Sequence, residues 1–213
     1  MISILMPIYN GIEYIHDSVD SIINQTYYDW ELIIGINGHP LESDVYHIAK
    51  QYENDKIKVV QFSSKGKSNT LNQMLEYCNY PYIAILDVDD IWYPYKLEYQ
   101  IPFISKYDVI GTQCIYFGDL NNSPYIRLYD LKNFDMKFNP IINSSVILKK
   151  ELCYWDGTVD GIEDYDLWIR LKQLNKSMYN CPDILVKHRI HSTSSFNSKE
   201  QNIDELKLRY NLN

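Results

Sequence analysis

Three carboxylates lie within four residues at Asp87-Val88-Asp89-Asp90, directly after the apolar run at residues 83–86. Gathering this much negative charge at the end of a strand is unfavourable unless a cation lies beside it. Hard divalent cations prefer carboxylate oxygens, so a metal site is one interpretation of this cluster. The other is a strand that runs into an acidic, solvated turn. The cluster alone favours neither interpretation.

Two further groups have side chains that could do chemistry. Glu163 and Asp164 stand at the predicted start of a helix, where the helix dipole favours carboxylates, so simple capping competes with a general base at Asp164. His191 follows an apolar strand and begins a loop rich in Ser and Thr. A single histidine is usually an ordinary polar residue, and His191 becomes a candidate metal ligand only if its strand end faces the same crevice.

Several common nucleotide and metal motifs are missing. The turn Gly66-Lys67-Ser68 could hold a phosphate at a helix N-terminus, but it lacks the spacing of a P-loop. Neither the Gly-x-Gly-x-x-Gly motif of dehydrogenases nor the Gly-x-Ser-x-Gly motif of hydrolases occurs. An EF-hand loop is excluded because Trp92 occupies the position that requires glycine.

The first half of the chain alternates strands with helices. Apolar patterning predicts strands at residues 2–8, 30–36, 57–62 and 81–86, with helices at residues 12–24, 42–52 and 68–77 between them. This order predicts an α/β fold with a mainly parallel, doubly wound sheet. Ligands of such sheets bind beyond the carboxyl ends of the strands. Asn10, Asn37, Gly66 and the acidic residues 87–90 should therefore converge on one crevice.

The second half is less regular. The pattern predicts a helix at residues 97–104 that Pro102 must kink or end, and a strand at 109–116. Residues 117–139 are predicted to form a hairpin or an irregular lid. A short strand at 145–148, a helix starting at Glu163 and a strand at 184–190 follow. An amphipathic helix carrying Ile203, Leu206 and Tyr210 comes last.

Composition narrows the class of protein. The 213 residues are 46% hydrophobic and 23% charged, which is typical of a soluble globular protein. The net charge of −8 argues against nucleic acid as a partner. Four widely spaced cysteines without a CxxC pair indicate buried, reduced thiols. Because neither a signal peptide nor a membrane span is evident, we expect a soluble, cytoplasmic protein.

Six segments, taken in order, closely resemble family 2 glycosyltransferases, which are inverting, metal-dependent enzymes of the GT-A fold. They are residues 4–10, residues 25–34, the turn at residues 66–72, the Asp-x-Asp-Asp motif in residues 85–90, residues 163–171, and Arg189-Ile190-His191 followed by Ser194-Ser195. The resemblance covers residues 2 to about 196. It implies one glycosyltransferase domain over residues 1–213. Residues 1–112 would bind the nucleotide-sugar, residues 113–196 would form the acceptor and catalytic half, and residues 197–213 the C-terminal helix.

The resemblance also implies roles for individual residues. Mn²⁺ or Mg²⁺, held by Asp89 and His191, would bridge the phosphates of a nucleotide-sugar, with a UDP-sugar favoured. Asp164 would accept the proton of an attacking hydroxyl on a glycan or other acceptor, which gives inversion. Glu163 and Trp155 belong to the acceptor side, although Trp155 serves equally well as a core residue. The donor nucleotide would be bound by Pro7, Ile8, Tyr9, Asn37, Gly66, Lys67, Asn72, Asp87 and Val88, with Asp87 on the ribose.

Two positions depart from the family pattern. Asn37 stands where an acidic side chain usually meets the base, and Leu71 stands where many relatives have arginine. A non-catalytic relative that binds a nucleotide or a glycan therefore remains an alternative. A sugar-phosphate nucleotidyltransferase would need a Gly-rich, basic first loop, and a glycosidase with paired carboxylates does not explain the doubly wound start.

Overall fold

The structure, a computed structural model, describes residues 1–122, 129–159, 161–192 and 203–212. Its strands form one sheet in the order β3-β2-β1-β4-β7-β6-β8-β5. The strands are β1 (Ile2–Ile8), β2 (Trp30–Asn37), β3 (Ile57–Phe62), β4 (Tyr82–Ile85), β5 (Ile91–Trp92), β6 (Val109–Gly118), β7 (Ile147–Lys149) and β8 (Met178–Ile190). The α-helices are α1 (Ile15–Ile23), α2 (Asp44–Lys50), α3 (Lys67–Met74), α4 (Lys96–Gln100), α5 (Glu163–Gln173) and α6 (Ile203–Arg209).

The first four long strands make the parallel part of the sheet, as predicted. β1 pairs in parallel with β2 on one side and β4 on the other, and β2 pairs in parallel with β3. Side chains alternate between two cores, with Ile4 packed on the α1 side and Leu5 on the α3 and α5 side. Burial on both faces explains why these strands are almost continuously apolar.

The second half of the chain adds the antiparallel pairings. β7 runs antiparallel to β4 and to β6, while β6 and β8 are parallel. β8 begins at Met178, six residues before the predicted strand. The early part escaped the pattern because Pro182 and Asp183 lie in an irregularity, where the pairing register shifts opposite Gln113. Proline lacks the amide that a regular ladder needs.

Other elements follow the sequence with small differences. Helix α4 ends at Gln100 and a 3₁₀ turn at Ile101–Phe103 contains Pro102, so proline ends the helix as predicted. The short strand starts two residues later than expected, because Asn143–Ser145 forms a 3₁₀ turn. Residues 129–142 are largely irregular and pack against α5. The rest of the predicted lid, at 123–128, lies outside the described residues.

The remaining expectations concern the cysteines and the membrane. All four cysteines are free, and three of them are buried. Within the described ranges, no helix is long and apolar enough to cross a bilayer. The loop residues Ser194 and Ser195 also fall outside the part of the chain that the structure describes.

Candidate functional site

Side chains from the ends of β1, β2 and β4, the start of α3, the start of α5 and the end of β8 meet in one region. The Lys67 ammonium at the start of α3 lies 2.7 Å from Asp87 after β4 and 3.5 Å from Glu163 on α5. His191, after β8, lies 3.0 Å from Asp89. The predicted convergence of strand ends is therefore observed, and it includes the start of the helix that carries Asp164.

The acidic strand end (residues 87–90) contains three carboxylates with different partners. Asp87 pairs with Lys67, and its carboxylate accepts weak hydrogen bonds from the Asn143 amide at 3.3 and 3.4 Å. The Ser144 hydroxyl accepts a hydrogen bond from the Asp87 backbone amide. Burial opposes ionisation of Asp87, but Lys67 and the Asn143 hydrogen bond outweigh it and lower the pKa. Asp87 is therefore an ionised carboxylate with a matched cation.

Asp90 is a structural residue. Its side chain is fully buried, and its two oxygens contact the His188 ring nitrogen at 2.9 Å and accept a hydrogen bond from the Arg189 backbone amide at 2.8 Å. Burial disfavours the charged imidazole, but Asp90 outweighs it and raises the pKa of His188 to about 9. The role of Asp90, which sequence left open, is to fasten the acidic strand end to β8.

Asp89 lies between the negative charges of Asp87 and Asp90, and its own pKa is raised. Burial, followed by repulsion from Asp90 and Asp87, raises its pKa above the usual value, whereas the hydrogen bond with His191 lowers it. The described residues contain no cluster of three or more His, Cys, Asp or Glu side chains arranged to hold a metal. Asp89 and His191 nevertheless offer one oxygen and one nitrogen 3.0 Å apart. This donor pair fits a divalent cation that takes its remaining ligands from a substrate and water.

Arg189 holds the backbone around Asp89, a role that sequence analysis did not assign. Its Nε donates to the Asp89 carbonyl at 2.9 Å, and its Nη2 donates to Asp17 at the same distance. The guanidinium carbon lies 4.3 Å from the ring centroids of both Tyr14 and Phe117. An arginine bound on both faces and at its edge keeps Asp89 at a defined position relative to α1.

The acidic helix start (Glu163 and Asp164) is built from the first turn of α5. Glu163 is buried, accepts a hydrogen bond from the Gly161 backbone amide at 2.6 Å and faces Lys67. Asp164 accepts hydrogen bonds from the Asn139 side-chain amide at 2.9 Å and from the Tyr165 backbone amide at 2.7 Å. Burial and the neighbouring Glu163 raise the pKa of Asp164 to about 6. A carboxylate tuned in this way can take up a proton near neutral pH.

Lys67 connects the two acidic groups. Burial disfavours its ammonium, but Asp87 first and then Glu163 raise its pKa above the ordinary value for lysine. It follows Gly66, whose φ of 100° belongs to the region that favours glycine. The turn therefore places Lys67 at the start of α3 so that its side chain reaches both β4 and α5.

At the ends of β1 and β2, the predicted nucleotide residues divide into exposed and buried ones. Tyr9 is 53% exposed, and its ring lies 5.6 Å from that of His39, whose Nε2 contacts the Tyr9 carbonyl. Asn37 is only 3% exposed, and its amide donates to the Ile8 carbonyl at 3.2 Å. The amide of Asn37 therefore links β2 to β1, and its predicted contact with the base stays a prediction. His39, two residues after Asn37, is a further candidate for contact with the base. The departure from the family pattern at Asn37 could have drawn attention to it in the sequence.

Three of the predicted donor residues have buried side chains. Pro7 and Ile8 lie on β1 with their side chains buried, and Val88 packs in the same core as Ile8. These residues could meet a ligand only through their backbone. The donor role of these residues stays a prediction, and it would be filled by backbone atoms because each side chain packs in the core.

Asn72 and Trp155 pair with each other. The Asn72 amide donates to the Trp155 carbonyl at 2.7 Å, and the Trp155 backbone amide donates back to it at 3.0 Å. Trp155 is fully buried, so its indole cannot stack on an acceptor sugar, and the core alternative is correct. Both ends of the Asn72 amide bind the backbone at Trp155, and the nucleotide role of Asn72 stays a prediction.

Comparison with known proteins identifies the family. Residues 3–165 match the family model for glycosyl transferase family 2. The chain belongs to this family. It is 32% identical over 220 residues to the O-antigen biosynthesis glycosyltransferase WbnJ of Escherichia coli, covering 92% of this chain and 82% of WbnJ. The protein is thus a glycosyltransferase.

Solved structures support the same fold. S. aureus TarS in complex with UDP-GlcNAc superposes with a TM-score of 0.79 at 17% identity, covering 98% of this chain and 65% of that one. The mannosyltransferase PcManGT from Pyrobaculum calidifontis, in complex with GDP-Man and Mn²⁺, gives a TM-score of 0.71 at 16% identity, covering 91% of this chain and 58% of the neighbour. The predicted GT-A fold is confirmed, in a chain that spans about three-fifths of each structural neighbour.

Proposed function

We propose that this glycosyltransferase moves a sugar from a UDP-sugar to a hydroxyl group of a glycan, with inversion at the anomeric carbon. One observation carries the proposal. Lys67 joins Asp87 on the donor side to Glu163 beside Asp164, at 2.7 and 3.5 Å, which brings the acidic strand end next to a carboxylate with a raised pKa. A one-displacement transfer needs these two functions next to each other.

Asp89 and His191 are the residues that would hold a divalent cation, Mn²⁺ or Mg²⁺. The excess negative charge at Asp89 and the 3.0 Å contact between oxygen and nitrogen support this assignment. The chemistry that such a cation supplies when bound is stabilisation of the negative charge that develops on the leaving diphosphate. The protein fixes the position of Asp89 through Arg189 and Asp90.

Asp164 would act as the general base. An ionised Asp164 accepts the proton of the acceptor hydroxyl as its oxygen attacks the anomeric carbon. The raised pKa supports this role because the proton affinity of the group lies near the working pH. Lys67 keeps positive charge beside Glu163, and this charge lowers the pKa of Asp164 against the effects of burial and Glu163.

The residues that would bind the nucleoside and the kind of acceptor are inferred from different observations. The exposed Tyr9 and the neighbouring His39 offer aromatic surface at the ends of β1 and β2, where the base of the donor would lie. Asp87 would accept hydrogen bonds from the ribose hydroxyls. The similarity to WbnJ favours a surface polysaccharide intermediate as the acceptor. The TarS complex with UDP-GlcNAc supports UDP over GDP as the first nucleotide to test.

The test is release of UDP from UDP-GlcNAc, UDP-glucose and UDP-galactose, with hydroxyl acceptors or with water, in the presence of Mn²⁺ and after chelation. We expect turnover that depends on the metal, a product of inverted anomeric configuration by NMR, and a loss of at least about 100-fold in Asp164→Asn. Asp55→Asn, at an exposed aspartate far from the site, is the matched control. Tight binding of UDP by calorimetry without turnover on any acceptor would instead favour a non-catalytic relative.

A further inference from the structure

Asn139 contacts the proposed base, although no sequence pattern singles it out. Its side-chain Nδ2 donates to Oδ2 of Asp164 at 2.9 Å. Its Oδ1 accepts a hydrogen bond from the backbone amide of Ile141 at 3.3 Å. Because the carbonyl oxygen is occupied by a backbone donor, the amide is oriented with its NH₂ group toward the carboxylate. The opposite orientation would place two acceptors against each other.

The segment that carries Asn139 is fastened to the helix that carries Asp164. The Tyr165 hydroxyl donates to the Met136 carbonyl, and the Trp168 indole donates to the Ile141 carbonyl at 3.3 Å. Further along the helix, the Lys172 ammonium donates to the Leu131 carbonyl at 2.5 Å. Each contact joins residues 129–142 to α5. The distance between Asn139 and Asp164 is therefore set by several bonds besides their own.

We propose that Asn139 is a positioning residue for Asp164, holding the carboxylate in one orientation and favouring its charged form. The proposal rests on the proposed function, since it treats Asp164 as the base. The second oxygen of Asp164 accepts the Tyr165 backbone amide, so each oxygen has one fixed donor. A carboxylate held at both oxygens presents a defined lone pair to an acceptor hydroxyl.

The charged groups around Asp164 shift its pKa in opposite directions, and the neutral amide of Asn139 acts on the same pKa. Glu163, on the same helix, raises the pKa of Asp164, and Lys67 on α3 lowers it. The charged residues Asp135 and Lys137, on the segment of Asn139, lie 3.3 Å from each other. That segment donates to Asp164 through the Asn139 amide. A hydrogen bond to the charged form favours that form, so Asn139 counteracts burial and Glu163.

The test compares Asn139→Ala, which removes the donor, with Asn139→Asp, which replaces the donor with a second carboxylate. Asn133→Ala is the matched control, an exposed asparagine on the same segment. The pKa of Asp164 is measured by carboxyl ¹³C NMR titration, with the signal assigned from Asp164→Asn. We expect the pKa to rise in Asn139→Ala and to rise further in Asn139→Asp, with no change in the control.

Turnover gives a second measurement. In Asn139→Ala the acid limb of UDP release, measured with the most active of the three UDP-sugars above, should move to higher pH by about one unit. At pH 6 that displacement lowers the rate about fivefold. A merely structural role would reduce the rate at every pH and leave the limb in place. An unchanged Asp164 pKa in both Asn139 variants overturns the proposal, even if activity falls.

The two proposals can fail separately. If Asp164→Asn abolishes UDP release while the Asn139 variants titrate like the wild type, the role of Asn139 is wrong and the proposed function stands. If the Asn139 variants raise the pKa of Asp164 but Asp164→Asn remains active, the proposed base is wrong. The NMR titration needs no substrate, so the electrostatic part of the proposal is tested even if no donor is turned over.

Discussion

The acidic strand end and the acidic helix start both hold neighbouring carboxylates, whose charges repel each other. The two groups differ in the partners that offset this repulsion. At the strand end, each carboxylate contacts a basic side chain, which is Lys67 for Asp87, His191 for Asp89 and His188 for Asp90. At the helix start, Glu163 faces the same Lys67, and Asp164 is held by two amide donors without a cation of its own. The two groups therefore share Lys67, and in each of them one carboxylate, Asp89 or Asp164, has a raised pKa.

The comparison separates residues that hold structure from residues that would do chemistry. Asp90 is fully buried and bonded at both oxygens by β8, so its charge serves the fold. Asp89 and Asp164 both have raised pKa values, and both have a part in the proposed reaction. Perturbed pKa values are frequent at functional sites, which is the pattern that these two carboxylates follow.

The largest expected effect is at Asp89. Asp89→Asn should lower metal-dependent UDP release by at least about 100-fold, because the residue loses the charge that attracts the cation. Mn²⁺ binding, followed by EPR or calorimetry, should weaken in parallel, and urea unfolding should stay close to that of the wild type. Retained Mn²⁺ affinity in this variant would show that the cation is held elsewhere.

Asp90→Ala should damage the fold more than the chemistry. Removing one member of a buried ion pair leaves His188 without its counter-ion, and we expect the free energy of unfolding to fall by about 3 kcal/mol. Urea denaturation followed by circular dichroism measures this loss. If stability is unchanged but turnover disappears, Asp90 belongs with the functional carboxylates and the comparison above is wrong.

Asp164→Asn should stabilise the protein at neutral pH. Since the pKa of Asp164 is raised to about 6, the folded protein binds this proton more tightly than the unfolded chain does. Stability is therefore lost as the pH rises from about 4 to 6, and a neutral amide avoids the loss. We expect a gain of about 3 kcal/mol at pH 8 and almost none at pH 4 in urea unfolding. A gain of equal size at both pH values would contradict the assignment.

The smallest expected effect is at the shared cation. Lys67→Met removes the charge that lowers the pKa of Asp164, so UDP release at pH 6 should fall about threefold more than release at pH 9. Lys67→Arg keeps the charge and should retain the wild-type pH profile. If both variants lose activity equally at every pH, Lys67 acts on donor binding alone.

Much of the architecture could be predicted from the sequence, because the signals are local. The period of apolar residues places the strands β1 to β4 and the helices between them, and the rule for parallel sheets brings their carboxyl ends together. The acidic strand end was recognised for the same reason, since three carboxylates lie within four residues directly after a buried strand. Pro102 ended its helix as its chemistry requires.

The partners of individual side chains could not be predicted, because they come from distant parts of the chain. Asn72 meets Trp155 across 83 residues of sequence, and Asp90 meets His188 across 98. An asparagine offers the same donor and acceptor whether it faces a nucleotide or a backbone amide. Sequence alone therefore marked Asn72 and Trp155 as site residues and passed over His39 and Asn139.

The amino-acid order determined that a mainly parallel sheet carries carboxylates at one edge, since burial patterns and turn residues act over a few positions. Tertiary structure decided which of those carboxylates has a raised pKa and which one pairs with the half-buried His188, and it gave Asp164 on α5 a raised pKa as well. The physical reason is that a pKa depends on burial and on charges brought close by folding. Lys67, Asn139 and His188 acquire their roles only when α3, residues 129–142 and β8 come together.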